Sequence, residues 1–319
     1  MKIRLLVTAG ITAAMLAGIA DAQTVGVGTT KGTAIAQMGA AIAKTVSSHA
    51  GVQMRPQAMG GTQTYIQVVD EGKLEFGIAN LMQTYMAVNG TGISEGHKFA
   101  NIRLVATLMA FRNGLAVANN SDIKTAADLK GKRLPYGFSA APLFRYFIDA
   151  TLANGGLTAA DVTQVPAVGL PQSWNLLKQG KVDGVITAIG AGPTTEMNKV
   201  VSGGIRFIEM ATAGPGAEKT LGILPGLYYT KVNPNPKFAG IHAPTNTFGY
   251  DFGLFTNKNV PAEVVGRVVK AMYQHAGEIK STAAMWNSFN KSRMAKSHKG
   301  VPYHPGAEAF YKQVGIWKQ

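Results

Sequence analysis

The sequence contains no cysteine among its 319 residues, and its acidic residues are few. Without cysteine the chain can form neither a disulfide bond nor the thiol-linked lipid anchor of a lipoprotein. Its 17 Asp and Glu against 31 Lys and Arg give a formal net charge of +14. Such a charge is typical of proteins that bind nucleic acid or anionic lipid. The basic residues here are scattered, however, with one cluster at Lys291 to Lys299. The scatter favours a solvated basic surface and no nucleic-acid partner.

Nucleotide and metal motifs are also missing, although the stretch VGVGTTKGT from Val25 resembles a phosphate loop. A Walker A motif places a glycine directly before Lys-Ser or Lys-Thr, whereas the order here is Lys31-Gly32-Thr33. Lys31 also occupies the position of the third glycine in the dinucleotide pattern. The six histidines show neither H-x-x-x-H nor H-E-x-x-H spacing. The sequence therefore predicts no cofactor and no metal site.

The first 22 residues have the layout of a secretory signal peptide. Lys2 and Arg4 precede an apolar run from Leu5 to Ile19, and Ala20-Asp21-Ala22 supplies an A-x-A cleavage site. The apolar run is shorter than the roughly 20 residues that a membrane-spanning helix needs. We therefore expect cleavage before Gln23 and export to the periplasm.

Beyond Gln23, short strand-like runs alternate with helical periods. TVGVG, VQMRPQAM and LEFGIAN predict strands, and the segments between them carry apolar residues at helical spacing. This order predicts an α/β fold with a parallel sheet and right-handed crossovers. The long apolar stretch at 102–120 predicts a strand that leaves one domain for another, and TFGYDFGLFTN predicts a return strand. Residues 212–244 are predicted to form an irregular surface excursion.

Two α/β lobes joined by two crossings follow from this pattern. We expect lobe 1 to comprise residues 23–112 and 248–319, and lobe 2 to comprise residues 113–247. In open α/β sheets, ligands bind beyond the carboxyl ends of the strands. The turns GTTKGT, MGGT, NLMQ, GFSAAP and AIGAGPTT occupy those places. Their backbone N–H groups and helix N-termini predict a cradle for a small anion.

Several of these segments resemble the TAXI group of periplasmic solute-binding proteins, which serve tripartite ATP-independent (TRAP) transporters. The resemblance rests on VGVGTTKGTAIAQMGAAIAK, MGGTQTYIQVVDEGKLEFGIAN, IKTAADLKGKRLPYG, LKQGKVDGVI and VPYHPGAEAFYKQVG. It implies a type II periplasmic binding protein, or Venus flytrap. It also implies capture of a small organic acid or amino acid, delivery to TRAP permease subunits, and no catalysis. We expect a monomer.

The resemblance also implies a ligand site. By position, this site falls on Thr30, Lys31, Gly32, Thr33, Gly60, Gly61, Thr62, Asn80, Ser139 and Gly190. Two departures from the family pattern bear on the ligand: Ile35 and Ala36 stand where tyrosines are frequent, and GFSAAP lacks a Gly-Ser-Gly-Thr turn. The resemblance makes carboxylates the leading candidates, while Ile35, Ala36 and the apolar LFRYF helix admit a more hydrophobic acid.

Two further residues are candidates on chemical grounds. Arg145 lies one turn into the helix after GFSAAP and can pair with a ligand carboxylate in bidentate fashion, or it can be an ordinary surface arginine. Trp174 can form a wall of the cleft, or it can pack its helix onto the lobe.

Two other functions remain open on the sequence. GFSAA approximates the nucleophile elbow of a serine hydrolase around Ser139, with Asp183 or Asp251 and His275 or His304 as partners. Ala141 replaces the last glycine of that motif, and no HGGG oxyanion loop occurs upstream. A periplasmic sensor that docks on a membrane kinase would use the same closed cleft as a transport receptor.

Overall fold

The computed structural model describes residues 23–31 and 33–318. The predicted signal peptide at 1–22 and the candidate site residue Gly32 lie outside the described residues. Among those that are described, no helix combines the length and the apolar character needed to cross a bilayer.

Ten strands and ten α-helices are assigned within the described residues. The strands are β1 (Gln23–Thr30), β2 (Val52–Met59), β3 (Phe76–Asn80), β4 (Ile102–Ala118), β5 (Arg133–Gly137), β6 (Thr163–Ala167), β7 (Gly184–Ala188), β8 (Ile205–Phe207), β9 (Tyr228–Val232) and β10 (Thr245–Asn257). The helices are α1 (Ala34–His49), α2 (Thr62–Asp70), α3 (Leu81–Asn89), α4 (Leu143–Asn154), α5 (Leu170–Lys178), α6 (Gly192–Val200), α7 (Pro215–Ile223), α8 (Ala262–Gln274), α9 (Ala276–Ser281) and α10 (Pro305–Gln313).

The first lobe is built on the strand order β2-β1-β3-β10-β4. β1 pairs in parallel with both β2 and β3, as the β-α-β-α-β pattern predicts. Helix α1 follows because Ile35, Met38, Ile42 and Val46 recur on one face, and all four are buried against the sheet. The return strand β10 runs antiparallel to β3, so the complete sheet is mixed.

Two long strands, β4 and β10, belong to both lobes. They pair antiparallel with each other from Ile102 to Asn113 of β4. Beyond that stretch β4 pairs with β7 and β8 of the second lobe, and the first residues of β10 pair with β9. The two lobes are therefore joined by two crossings, as predicted. The domain boundaries at residues 112 and 248 fall within these strands and stay a prediction.

The second lobe contains the parallel pair β5 and β6, which joins β7 through a hydrogen bond from the Asp183 amide to the Arg133 carbonyl (2.8 Å). Here the predicted irregular excursion at 212–244 is wrong, because that segment contains α7 and β9. Pro215 stands at the first position of α7, where its missing N–H costs nothing. Gly216 lets α7 approach α4, since a Cβ there would lie 2.4 Å from the Asn154 carbonyl oxygen.

The basic cluster at Lys291 to Lys299 is also more than a solvated surface. Its Arg293 and Lys296 form ion pairs with Asp251, a buried residue in the middle of β10. The Thr107 amide of β4 donates to the Met294 carbonyl within the same segment (2.9 Å). The cluster therefore covers the two shared strands.

Candidate functional site

The carboxyl ends of β1, β2 and β3 meet at one edge of the sheet, because the three strands run in parallel. Each strand is followed within a few residues by a helix, namely α1, α2 and α3. The N-termini of these helices therefore stand at the same edge and direct the positive ends of their dipoles towards it. This edge is where the sequence predicts the anion cradle.

In the first turn, Thr33 caps α1. Its hydroxyl donates to the Thr30 carbonyl (2.7 Å) and accepts from the Ile35 amide (3.2 Å). Lys31 is exposed, so its ammonium group is free to face a solute. The Thr30 hydroxyl oxygen is shielded from solvent and has no hydrogen-bond partner among the described residues. An unsatisfied buried hydroxyl at this edge is a candidate ligand contact.

A tyrosine that the sequence analysis did not single out lies directly below this edge. Tyr65 is fully buried on α2, and its hydroxyl donates to the Ile78 carbonyl (2.5 Å). Thr62 therefore donates its own hydroxyl hydrogen to the Tyr65 oxygen (3.1 Å). Burial raises the pKa of Tyr65, while the Thr62 and Thr30 hydroxyls act in the opposite direction. The Thr30 hydroxyl lowers the pKa of Tyr65 although it forms no hydrogen bond of good geometry with it.

Tyr65 also explains a glycine in β1. A Cβ at Gly28 would lie 2.7 Å from the Tyr65 ring. The contact between Thr62 and Tyr65 could have been predicted from the sequence. The two residues are three positions apart on one helix, and Tyr65 is a large residue with a polar tip.

The second turn, Gly60-Gly61, is open. A Cβ at either glycine would meet no atom within 4 Å. Gly61 has an extended backbone, with φ at 179°, so its conformation does not require glycine. The absence of side chains at this turn therefore keeps space clear in front of the α2 N-terminus.

In the third turn, Asn80 caps α3. Its Oδ1 accepts from the Gln83 amide (2.8 Å), and its Nδ2 donates to the Gln83 side-chain oxygen (2.5 Å). The side chain is buried, and both of its polar atoms are engaged within the cap. Asn80 thus positions the α3 N-terminus, and its direct contact with a ligand stays a prediction.

In the second lobe, the turn between β5 and α4 has a strained backbone. Phe138 has φ at 50°, which is an unusual value for a bulky residue, and its ring is buried. The amides of Phe138 and Ala140 donate to the carbonyls of Ala167 (2.7 Å) and Val168 (3.0 Å). These two N–H groups are therefore unavailable to a ligand, while Ser139 between them is exposed.

The turn after β7 is closely covered. Gly190 has φ at 81°, and a Cβ there would lie 3.2 Å from the Phe238 ring. Trp174 of α5 donates its indole N–H to the Ile186 carbonyl of β7 (3.0 Å). The indole N–H is therefore engaged within the lobe, and the role of Trp174 as a wall of the cleft stays a prediction.

Arg145 keeps a largely available charge. Its side chain is 47% exposed, and its Nε lies 4.0 Å from Asp149 Oδ2, at the limit of an ion pair. Its guanidinium carbon lies 5.0 Å from the centre of the Tyr146 ring. Asp149 also accepts from the Tyr136 hydroxyl (2.7 Å), and burial raises the pKa of Asp149. A carboxylate in solution can compete for Arg145.

Aromatic rings line the two shared strands. Phe111 of β4 contacts Tyr250 and Phe252 of β10 with ring centres 5.7 and 5.5 Å apart. Phe147 of α4 continues the group, 5.7 Å from Tyr250. Phe111 is the partly exposed member. Burial raises the pKa of Tyr250, so its hydroxyl stays protonated. We name these four residues the aromatic cluster. The only sequence signal for it is the alternation of apolar residues in TFGYDFGLF, which contains Tyr250 and Phe252.

Asp251 is the charged centre of the shared strands. Arg293 donates to its Oδ1 (3.2 Å), Lys296 to its Oδ2, and the Tyr228 hydroxyl to Oδ1 (3.3 Å). Burial, together with the negative charge of Asp251, raises the pKa of Tyr228 to about 12. Lys296 Nζ also lies 4.8 Å from the centre of the Tyr228 ring.

The residues of the alternative hydrolase are dispersed. Asp183 pairs with Arg133 (2.6 Å), and Asp251 is neutralised by the two cations just described. His275 contacts Glu278 (2.9 Å), and His304 Nδ1 accepts from the Gly306 amide at the start of α10 (3.1 Å). Among the described residues, none hydrogen-bonds the Ser139 hydroxyl. The triad of that alternative is therefore not assembled among the described residues.

Two recesses lie away from the predicted site. One, of about 450 Å³, is lined by Lys132, Arg133 and Asp183 near the amino ends of β5 and β7. The other is a groove of about 620 Å³ between α8 and α10. Neither is lined by a residue of the predicted ligand site.

Comparison with known proteins places these features in context. Residues 24–315 match the NMT1-like family. A TctC solute-binding protein from Polaromonas is 14% identical, with 92% of this chain and 98% of that chain covered and a TM-score of 0.56. A Xanthomonas citri protein bound to chloride ion is 9% identical, with coverage of 92% and 97% and a TM-score of 0.54. A sulfonate-binding protein, SsuA, from Methylobacillus flagellatus is 16% identical, with coverage of 93% and 88% and a TM-score of 0.51.

Proposed function

Since the chain belongs to the NMT1-like family and has the two-lobe fold of periplasmic solute-binding proteins, we propose that it is a periplasmic receptor for a small organic anion. It captures a carboxylate or an amino acid between its lobes and delivers the solute, as a monomer, to a TRAP-type membrane permease. The observation that carries the proposal is the convergence of three helix N-termini on one open edge of the first lobe.

The first-lobe edge suits an anion. Helix N-termini present unpaired N–H groups and positive dipole ends, and the open Gly60-Gly61 turn leaves room for a ligand to reach them. The exposed Lys31 adds a positive charge, and the buried Thr30 hydroxyl lacks a hydrogen-bond partner among the described residues. The solved relatives that are named for sulfonate or hold chloride likewise bind anions.

The remainder of the ligand is apolar in this proposal. The aromatic cluster crosses the shared strands between the lobes, and Phe111 presents a partly exposed ring. A carboxylate that carries a hydrocarbon or aromatic group would place its charge at the first-lobe edge and its apolar part near these rings. Arg145 is the residue of the second lobe that could pair with a second carboxylate.

Transport follows from closure. A ligand that contacts both lobes favours the closed form through the contacts that the open form lacks. To shift the protein from mostly open to mostly closed, it must bind the closed form about 10⁴-fold more tightly. The closed surface then docks on the permease, and no covalent bond changes in the receptor.

A thermal-shift screen of organic acids and amino acids tests the proposal. A ligand at 100 times its dissociation constant stabilises the folded chain by about 2.7 kcal/mol. We expect Gly61→Asp to abolish this shift while the ligand-free melting temperature stays the same, because the new side chain enters open space and places a negative charge at the cradle.

Gly222→Asp is the matched control, because it adds the same charge at an open position of α7 in the other lobe; it should bind normally. A Gly61→Asp variant with unchanged affinity would place the site elsewhere. Uptake by vesicles that contain the permease, driven by an ion gradient without ATP, tests the TRAP partner separately.

A further inference from the structure

Three side chains of the first lobe converge on its outer surface, away from the strand-end edge. His49 is the last residue of α1, His275 lies between α8 and α9, and Glu278 is in the first turn of α9. His49 Nε2 lies 3.0 Å from Glu278 Oε2, and His275 Nδ1 lies 2.9 Å from Glu278 Oε1. The imidazole rings stack with centres 3.4 Å apart and planes at 4°.

We propose that His49, His275 and Glu278 form a binding site for a divalent transition-metal ion, with Zn²⁺ as the probe. One donor atom from each residue lies within 4.8 Å of the other two. In a tetrahedral zinc site with bonds of about 2.0–2.2 Å, donor atoms stand roughly 3.3–3.6 Å apart. The two nitrogen–oxygen separations are slightly shorter than that spacing, and each nitrogen approaches a different oxygen of the Glu278 carboxylate. Because the ring planes are parallel, at least one imidazole must rotate out of the stack before both nitrogen lone pairs reach one ion.

The donor set decides the class of ion. Two imidazole nitrogens and one carboxylate suit Zn²⁺, Ni²⁺ or Cu²⁺, whereas Mg²⁺ and Ca²⁺ prefer oxygen donors alone. The histidine side chains are about one-third exposed and Glu278 is 53% exposed, so an ion can enter and water can complete its coordination. When the ion binds, each imidazole proton moves to the other ring nitrogen.

The ion would act as a clamp within one lobe. It would tie the carboxyl end of α1 to the corner between α8 and α9, where Arg267 of α8 already approaches the Gly51 carbonyl (3.5 Å). Motif searches miss such a site, because His49 and His275 lie in opposite halves of the sequence. The inference is independent of the proposed receptor function.

Titration calorimetry with ZnCl₂ on the full mature chain, without a histidine tag and after chelator treatment, tests the proposal. We expect one zinc ion per chain and no binding of Mg²⁺ or Ca²⁺. His49→Ala and His275→Ala should each weaken binding by at least about 100-fold, because loss of a partner outside the ligand set alone costs about 10–100-fold. His97→Ala, a change at another exposed histidine, should leave the affinity unchanged.

X-ray absorption of the zinc-loaded wild-type chain provides a readout that needs no variant. Scattering from two imidazole rings at the metal would support the site. Absence of zinc binding at millimolar concentration, a spectrum without imidazole, or unchanged affinity in both folded alanine variants would overturn it. Circular dichroism verifies the fold of each variant.

Discussion

The ion pairs of Asp251 give a prediction whose sign can be tested. The Asp251 side chain is 1% exposed, whereas the side chains of Arg293 and Lys296 are 38% and 35% exposed. The carboxylate therefore depends on its protein partners, while each cation can recover part of its hydration. Removal of the cations should destabilise the fold more than removal of the carboxylate charge.

The magnitudes follow from this asymmetry. Asp251→Asn removes charge-assisted hydrogen bonds worth about 1.5–3 kcal/mol each, but water reaches the freed cations and recovers part of the loss. We expect a net decrease of about 2–3 kcal/mol in the free energy of unfolding. The double variant Arg293→Met, Lys296→Met leaves a buried carboxylate without a cation, which costs about 3–5 kcal/mol.

The triple variant, with all three substitutions, should be more stable than the double variant, because it no longer buries an unpaired charge. Urea unfolding followed by circular dichroism measures all three variants. Lys178→Met is the control, because it breaks the surface pair with Glu196, whose side chain is 60% exposed, and should cost less than about 1 kcal/mol. A triple variant no more stable than the double variant would refute the reasoning.

Three further substitutions test the packing beneath the first-lobe edge and the burial of His298. Gly28→Ala should destabilise the fold by about 1–3 kcal/mol in urea unfolding, because its Cβ would meet the Tyr65 ring at 2.7 Å. Tyr65→Phe should cost about 1–2 kcal/mol, since the Ile78 carbonyl loses its buried donor. Burial lowers the pKa of His298 from 6.5 to about 4, so the unfolded chain binds the extra proton first. Stability should thus fall as the pH drops from 6.5 towards 4, and His298→Gln should weaken this dependence in unfolding curves taken across that range; an unchanged dependence would contradict the burial argument.

Much of the fold could be predicted, because local and long-range signals agree in the first lobe. The runs VQMRPQAM and FGIAN form strands, and the two shared strands lie where long apolar stretches predict them. In the second lobe, the secondary structure around residue 215 could not be predicted from the sequence. Proline and glycine there are typical of loops, although proline is also favoured in the first turn of a helix. The packing of Gly216 on α4 distinguishes a helix from a loop at this point.

The turns at the strand ends could be predicted from the sequence, but the roles of their side chains could not. Chain topology alone brings the strand ends together, so the positions of Gly61 and Asn80 followed from the sequence. Whether Asn80 faces a ligand or caps α3 depends on a side-chain torsion. The two cations that pair with Asp251 lie more than 40 residues away in the sequence, at distances where no local spacing rule operates.

The pairing of β4 with β10 has a mechanical consequence. In the proposed closure, rotation of one lobe against the other would twist this two-stranded ribbon, because both strands continue from one lobe into the other. Register irregularities after Asp251 and Leu254 give the ribbon places to coil, since β-bulges increase local twist. The Asp251 ion pairs attach the 291–299 segment to the same ribbon. In the proposed closure the ribbon therefore carries the 291–299 segment with it, and we expect substitutions in that segment to alter the angle between the lobes.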